Sequence, residues 1–156
     1  MSNQELVRFA DAVRYSTIRR LKAVPAGKAN WGISKNAMSF ADMAHHLLAC
    51  DNWLFEKLHN ENLQPIKGCK GEGETSDHEE YARLIEKLID SGKSRSMLIQ
   101  KYSDDDMKRE IHDSRFGGKV SIWWVIVRGN LDHEIHHRGQ IAAYLRLLGD
   151  VTGNSI

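Results

Sequence analysis

Apolar positions recur at helical spacing along most of the chain. Leu6, Phe9, Val13, Ser16 or Thr17, and Leu21 fall three and four apart, predicting a first helix over about residues 3–22. The stretch from Val24 to Asn30, with Pro25 and Gly27, ends it, and a non-repetitive passage runs through Trp31 and Ile33. Ser39-Phe-Ala-Asp42 then reads as a capping box. The serine hydroxyl accepts the free amide three residues on, while the acidic side chain reaches back. The second helix that follows carries Phe40, Met43, His46, Leu47, Cys50, Trp53, Leu54 and Leu58 on one face.

Residues 59–75 are polar and glycine-rich, long enough for a crossover or for a lid beside a site. A third helix starts near Asp77, with Tyr81, Leu84, Ile85, Leu88, Ile89, Met97 and Leu98 on its apolar side, and Gly92 suggests a bend in its middle. Residues 103–120 are polar, and Arg115-Phe-Gly-Gly-Lys119 is a turn signal. Its flanks, Glu110–His112 and Lys119–Val120, can pair as a short hairpin. Ser121 caps a last helix that runs through Trp123, Trp124, Ile126 and Val127 to about Leu148, where Gly149 fits the stop. Four long amphipathic helices imply an all-α four-helix bundle, and the two long loops leave room for at least one crossover connection.

Composition narrows the class. At 156 residues the chain fits a single domain spanning residues 1–156, and 41% apolar content suffices for one core. No run approaches the roughly 18 apolar residues of a spanning helix, and the N-terminus lacks a secretory signal. The expectation is therefore a cytoplasmic protein with no membrane association. Twenty-two basic and 21 acidic residues leave a formal net charge of +1, without the basic excess of a nucleic-acid binder. Two cysteines make no disulfide framework; Cys50 reads as a small core residue and Cys69 as exposed.

The candidate chemistry lies in Asp132-His-Glu-Ile-His-His-Arg-Gly-Gln140 of the last helix. His133 and His137 are four apart, so their imidazoles share one face and can reach one ion. Their line continues to Ile141, Tyr144 and Leu148, toward the core. A third ligand has to come from another helix, and His46, on the apolar side of the second, is the natural candidate. Three imidazoles from two helices leave coordination positions open, the pattern of a substrate-binding or catalytic site. Taken alone, His133 and His137 read as ordinary hydrogen-bonded histidines sooner than as ligands, and His45, His59, His78 and His112 read as surface or hydrogen-bonded residues.

Two motifs give the pattern its specificity. His133-Glu-Ile-His-His137-Arg-Gly-Gln-Ile141, followed by Tyr144-Leu-Arg146 and Leu148-Gly149, resembles the signature of the DinB-like family. Ser39-Phe-Ala-Asp-Met-Ala-His-His46 is similar to its second motif, and Trp31 also fits. The resemblance implies an up-up-down-down four-helix bundle, often paired as a homodimer, holding a divalent metal ion such as zinc or nickel through His46, His133 and His137. The family name records induction by DNA damage and implies no DNA binding. Relatives in the family include S-transferases that use low-molecular-weight thiols, which points to a small-molecule substrate of that class and a metal-dependent transferase. A metal-dependent hydrolase on the same site, a non-catalytic metal-binding or stress-response protein, and a metal-free helical interaction module are the alternatives. Glu134 should point away from the ligands, Asp42 reads as the helix cap, and Gln140 stands near His137.

Overall fold

The computed structural model describes residues 2–149. Its long helices are α1 (Asn3–Lys22), α2 (Phe40–Lys57), α3 (His78–Lys101) and α6 (Asp132–Leu147). Between α3 and α6 lie the short α4 (Asp104–Lys108), strands β1 (Glu110–Asp113) and β2 (Gly118–Ser121), and the five-residue α5 (Ile122–Ile126). A single π-helical turn, Val127–Leu131, joins α5 to α6. The molecule is mostly a helical bundle, as the apolar spacing predicts.

Local chemistry sets where each helix starts. Ser2 with Glu5, Ser39 with Asp42 and Ser103 with Asp106 form reciprocal capping boxes, and Asp77 caps α3 through the Glu80 amide. At the far end Gly149 adopts φ +82°, the left-handed stop that an L side chain resists. The expected hairpin forms, with Ile111 opposite Val120 and His112 opposite Lys119. Its turn uses Gly117 at φ +77° and Gly118 at φ +155°.

α1 packs on α3 and α6, and α2 packs on the same two helices. The links α1–α2 and α3–α6 therefore cross the bundle diagonally, which satisfies the expected crossover. Two apolar clusters fill the interior. One gathers Leu21, Phe40, Met43, Leu47, Tyr81, Leu88 and Ile141; the other gathers Leu6, Leu54, Ile99, Ile111, Ile122, Ile126 and Leu131. An aromatic trio anchors the first: Trp31 lies 5.3 Å edge-on from Tyr144 and 6.1 Å from Phe40.

Three details depart from the sequence reading. Phe9 is 40% exposed and Met97 58% exposed, because Ala10 and the Arg95–Ser96 pair take the inward positions instead. α3 runs unbroken through Gly92. That glycine makes room for a neighbour rather than a bend: a Cβ there would lie 2.9 Å from Arg14 Cγ. No helix among the described residues is long and apolar enough to cross a membrane.

Candidate metal centre

Between the two apolar clusters lies a polar layer, and α2 and α6 supply most of it. The Ser39–Asp42 box fixes where α2 starts, and the burial of Met43, Leu47 and Trp53 turns His46 inward and leaves His45 half-buried at the rim. His45 Nδ1 finds no hydrogen-bond partner among the described residues. On α6 the four-residue step stacks His133 and His137 as expected, while His136 is exposed.

The three predicted histidines meet. His46 Nε2 is 2.9 Å from His133 Nε2, and His137 Nε2 is 3.1 Å from the same atom. Ring centroids are 5.1, 5.1 and 4.6 Å apart, all edge-on. Nitrogens bound at 2.0–2.1 Å to one tetrahedral ion are about 3.3–3.4 Å apart, so each of the two pairs at His133 needs to open by a few tenths of an ångström to share one. His137 Nδ1 is 2.8 Å from Gln140 Oε1, an acceptor, which puts the proton on Nδ1 and leaves the Nε2 lone pair facing the cluster. His133 Nε2 has two nitrogen neighbours and one proton at most. The rings thus face one another with lone pairs that they cannot mutually satisfy, which is an arrangement a cation resolves.

Electrostatics favours the ligand form. Burial, and then repulsion from the neighbouring rings, holds His46, His133 and His137 each down at about 4. All three are neutral imidazoles near neutral pH, as a metal requires.

The loop between α2 and α3 closes over this cluster. Asp42 Oδ1 accepts from the Gly71 and Gly73 amides at 3.0 and 2.9 Å, so the cap residue also ties the loop down. Burial would raise its carboxyl, yet the Ser39, Gly71 and Gly73 amides outweigh it and hold the group below its ordinary value. Gly68 rests against the His46 ring, where a Cβ would come within 2.7 Å of Cγ. A small cavity of about 90 Å³ opens beside His133, walled by Cys50, Trp53, Pro65, Ile66, Arg115 and Gly129. Arg115 lies over the Trp53 ring at 4.1 Å, is clamped by Asp113, and donates to the Gly129 carbonyl at 3.0 Å.

A second polar cluster, absent from the sequence reading, adjoins the histidines. Arg14 donates to both oxygens of Glu134 at 2.8 and 2.9 Å and to Asp51 at 2.8 Å. Arg95 donates to Glu134 at 2.7 Å, Asp51 at 3.2 Å and the Asn130 side-chain oxygen at 2.9 Å. Ser91 adds a bond to Asp51 at 2.6 Å. Burial alone would raise the Glu134 carboxyl, but Arg95 and Arg14 pull it down to about 2. The sequence signal was position: Arg14 falls between Ala10 and Thr17 on the buried stripe of α1, and Arg95 between Ser91 and Ile99 on that of α3. Cys50 also differs from a plain core residue, since its Sγ is 3.6 Å from His46 Nε2.

A bundle that brings three imidazoles from two helices together, beneath a strapped loop, defines a class of helical protein with a candidate metal site. The chain belongs to the DinB family, whose family model matches residues 1–154. It is similar to the uncharacterized protein YjoA of Bacillus subtilis (strain 168), 24% identical over 117 residues, which cover 74% of this chain and 71% of the relative. The crystal structure of a DinB-like protein, YjoA from Bacillus subtilis, superposes with a TM-score of 0.65 at 20% identity, covering 94% of this chain and 93% of that one. That likeness bears on the fold.

Proposed function

We propose that the protein binds one divalent ion, zinc or nickel, through His46, His133 and His137, and acts as a metal-dependent transferase on a low-molecular-weight thiol. The observation that carries this is the convergence of three neutral Nε2 nitrogens, 2.9 and 3.1 Å apart, beside a cavity. When bound, the ion would stabilise a substrate thiol as the thiolate, the nucleophilic form. Gln140 holds the His137 tautomer; the Asp42-tethered loop shields the rings; Trp53, Pro65 and Ile66 offer an apolar wall to a small substrate.

Hydrolysis on the same site is less well supported. A hydrolase needs a free general base within reach. Asp132, Glu134, Asp51 and Asp42, the carboxylates nearest the ligands in sequence, are all engaged in ion pairs or amide hydrogen bonds. A homodimer in the cytoplasm, free of nucleic acid, completes this reading. Phe9 and Tyr15 on α1 and Met97 on α3 are exposed apolar groups that a second copy would cover.

Untagged protein, stripped and titrated with zinc by calorimetry, tests the proposal beside His133→Ala. One equivalent bound by the wild type and none by the variant is expected, followed by metal-dependent consumption of a small thiol with an aryl halide electrophile. A stripped wild type that takes up neither zinc nor nickel would sink the metal reading; full metal occupancy with no turnover would favour the non-catalytic binding protein.

A further inference from the structure

The donors around the cluster are not all nitrogen. Cys50 follows His46 by one helical turn on α2, as His137 follows His133 on α6, so each helix lines the cluster with a four-residue pair, His137 joining it through His133 at 3.1 Å. Cys50 Sγ is 3.6 Å from His46 Nε2, and the donor atoms of His46, Cys50 and His133 all lie within 4.8 Å of one another. Sulfur at about 2.3 Å and nitrogen at about 2.05 Å from one ion sit roughly 3.5 Å apart at adjacent tetrahedral positions. We propose that Cys50 is a fourth donor to the ion, as its thiolate, so that the site is a mixed centre of three imidazoles and one sulfur. This rests on the metal reading above.

The position of the thiol is held by its surroundings. The Cys50 carbonyl accepts from Asn130 Nδ2 at 3.4 Å, and the next residue, Asp51, is fixed by Arg14, Arg95 and Ser91. α2 therefore cannot rotate the sulfur away from the histidines without breaking that buried network. Cys50 and His133 also wall the same cavity, so the sulfur lies where a ligand and a substrate would meet. A thiolate donor selects zinc, nickel or copper over magnesium and calcium, which prefer oxygen. Binding releases the thiol proton to solvent, and a substrate thiol would then enter as a fifth donor beside Cys50 rather than supply the ion's only sulfur.

Cobalt(II) titrated into stripped, untagged protein, read by absorbance and by chelator competition, tests this. One equivalent should bind while a near-ultraviolet sulfur-to-cobalt charge-transfer band grows in step. Cys69→Ser, in the exposed loop, should keep the band. Cys50→Ser should lose it, still bind one equivalent, and bind at least roughly tenfold more weakly. One equivalent bound by the wild type without the band overturns Cys50 as a donor and leaves the three-histidine reading standing. A band lost in Cys69→Ser assigns the sulfur to the loop and overturns the proposal as well. No cobalt uptake by the wild type overturns the metal reading, and this one with it. The decisive spectra come from the wild type and Cys69→Ser, so the result survives a Cys50→Ser variant that does not fold.

Discussion

Two buried polar clusters share one layer of this bundle, and they solve opposite problems. The charge cluster pairs two arginines with two carboxylates, and Asp51 and Glu134 each take bonds from both guanidinium groups. It is electrically balanced and closed except at Arg95 Nε, which is buried without a hydrogen-bond partner among the described residues. The histidine cluster is neutral and open: its nitrogens face one another without enough protons to satisfy them. The two are joined by single peptide bonds, since Glu134 follows His133 and Asp51 follows Cys50. Buried polar groups that satisfy one another act as structure, whereas a buried set that cannot is where an external partner is wanted. The closed cluster fixes the rotation of α2 and α6, and the open one inherits its geometry from that.

The largest effect should come from breaking the closed cluster. Glu134→Ala leaves Arg14 and Arg95 buried with Asp51 as their one remaining carboxylate in the network, and removing one partner of a buried pair costs about 3–5 kcal/mol. Urea denaturation should show that loss, or no folded protein at all. His133→Ala, in stripped protein, should cost far less, because the ring it removes has no strong partner to strand. Equal losses in the two variants would erase the distinction between the clusters.

Acid separates them without mutation. In stripped protein the histidines sit at about 4 when folded, against an ordinary 6.5, so the unfolded chain takes up protons first. Their depressed values make stability fall as pH drops from about 6.5 through 4. Glu134 sits at about 2 against 4.5, so its contribution is complete above pH 4.5 and lost as pH falls through 2. Denaturation midpoints measured across pH should therefore decline in two windows, and zinc should flatten the upper one alone. A single decline confined below pH 4.5 would mean that the histidines are not held neutral by burial.

Metal itself should give a smaller gain. An ion that binds only the folded chain stabilises by about 2.7 kcal/mol at a hundredfold excess over its dissociation constant. Thermal melts of stripped protein with and without zinc should show that shift for the wild type and none for His133→Ala. A wild type whose melt ignores zinc would speak against an ordered site.

How much of this is legible in the sequence follows from the range of the interactions. Helix starts are local, and the apolar side of α2, marked by Met43 and Trp53, picks His46 over His45. The four-residue step of His133 and His137 is likewise local. The charge cluster joins residues up to 120 positions apart, and each member alone reads as a solvated charge. Only the placement of Arg14 and Arg95 on buried stripes gives it away. The π-helical turn at Val127–Leu131 is invisible for another reason: one extra residue in a turn blurs the apolar period without breaking it. Gly92 misleads because a glycine reads the same whether it bends a helix or yields to a neighbour, and Arg14 decides which.

The finest test lies at the edge of the open cluster. Gln140 touches His137 through one hydrogen bond of 2.8 Å and is otherwise exposed, so Gln140→Ala should leave the denaturation midpoint of stripped protein almost unchanged. What it removes is the acceptor that keeps the proton on Nδ1 and the lone pair on Nε2. Partners of this kind behind a ligating histidine change metal affinity by about 10–100-fold. With an exposed amide that water partly replaces, zinc affinity by chelator competition should fall near the lower bound, roughly tenfold. Gln140→Glu, which accepts the same proton with a full charge, should restore or exceed wild-type affinity. If instead alanine leaves affinity untouched and glutamate does nothing, His137 is oriented by the packing of α6 alone, and the open cluster owes its geometry entirely to the closed one beside it.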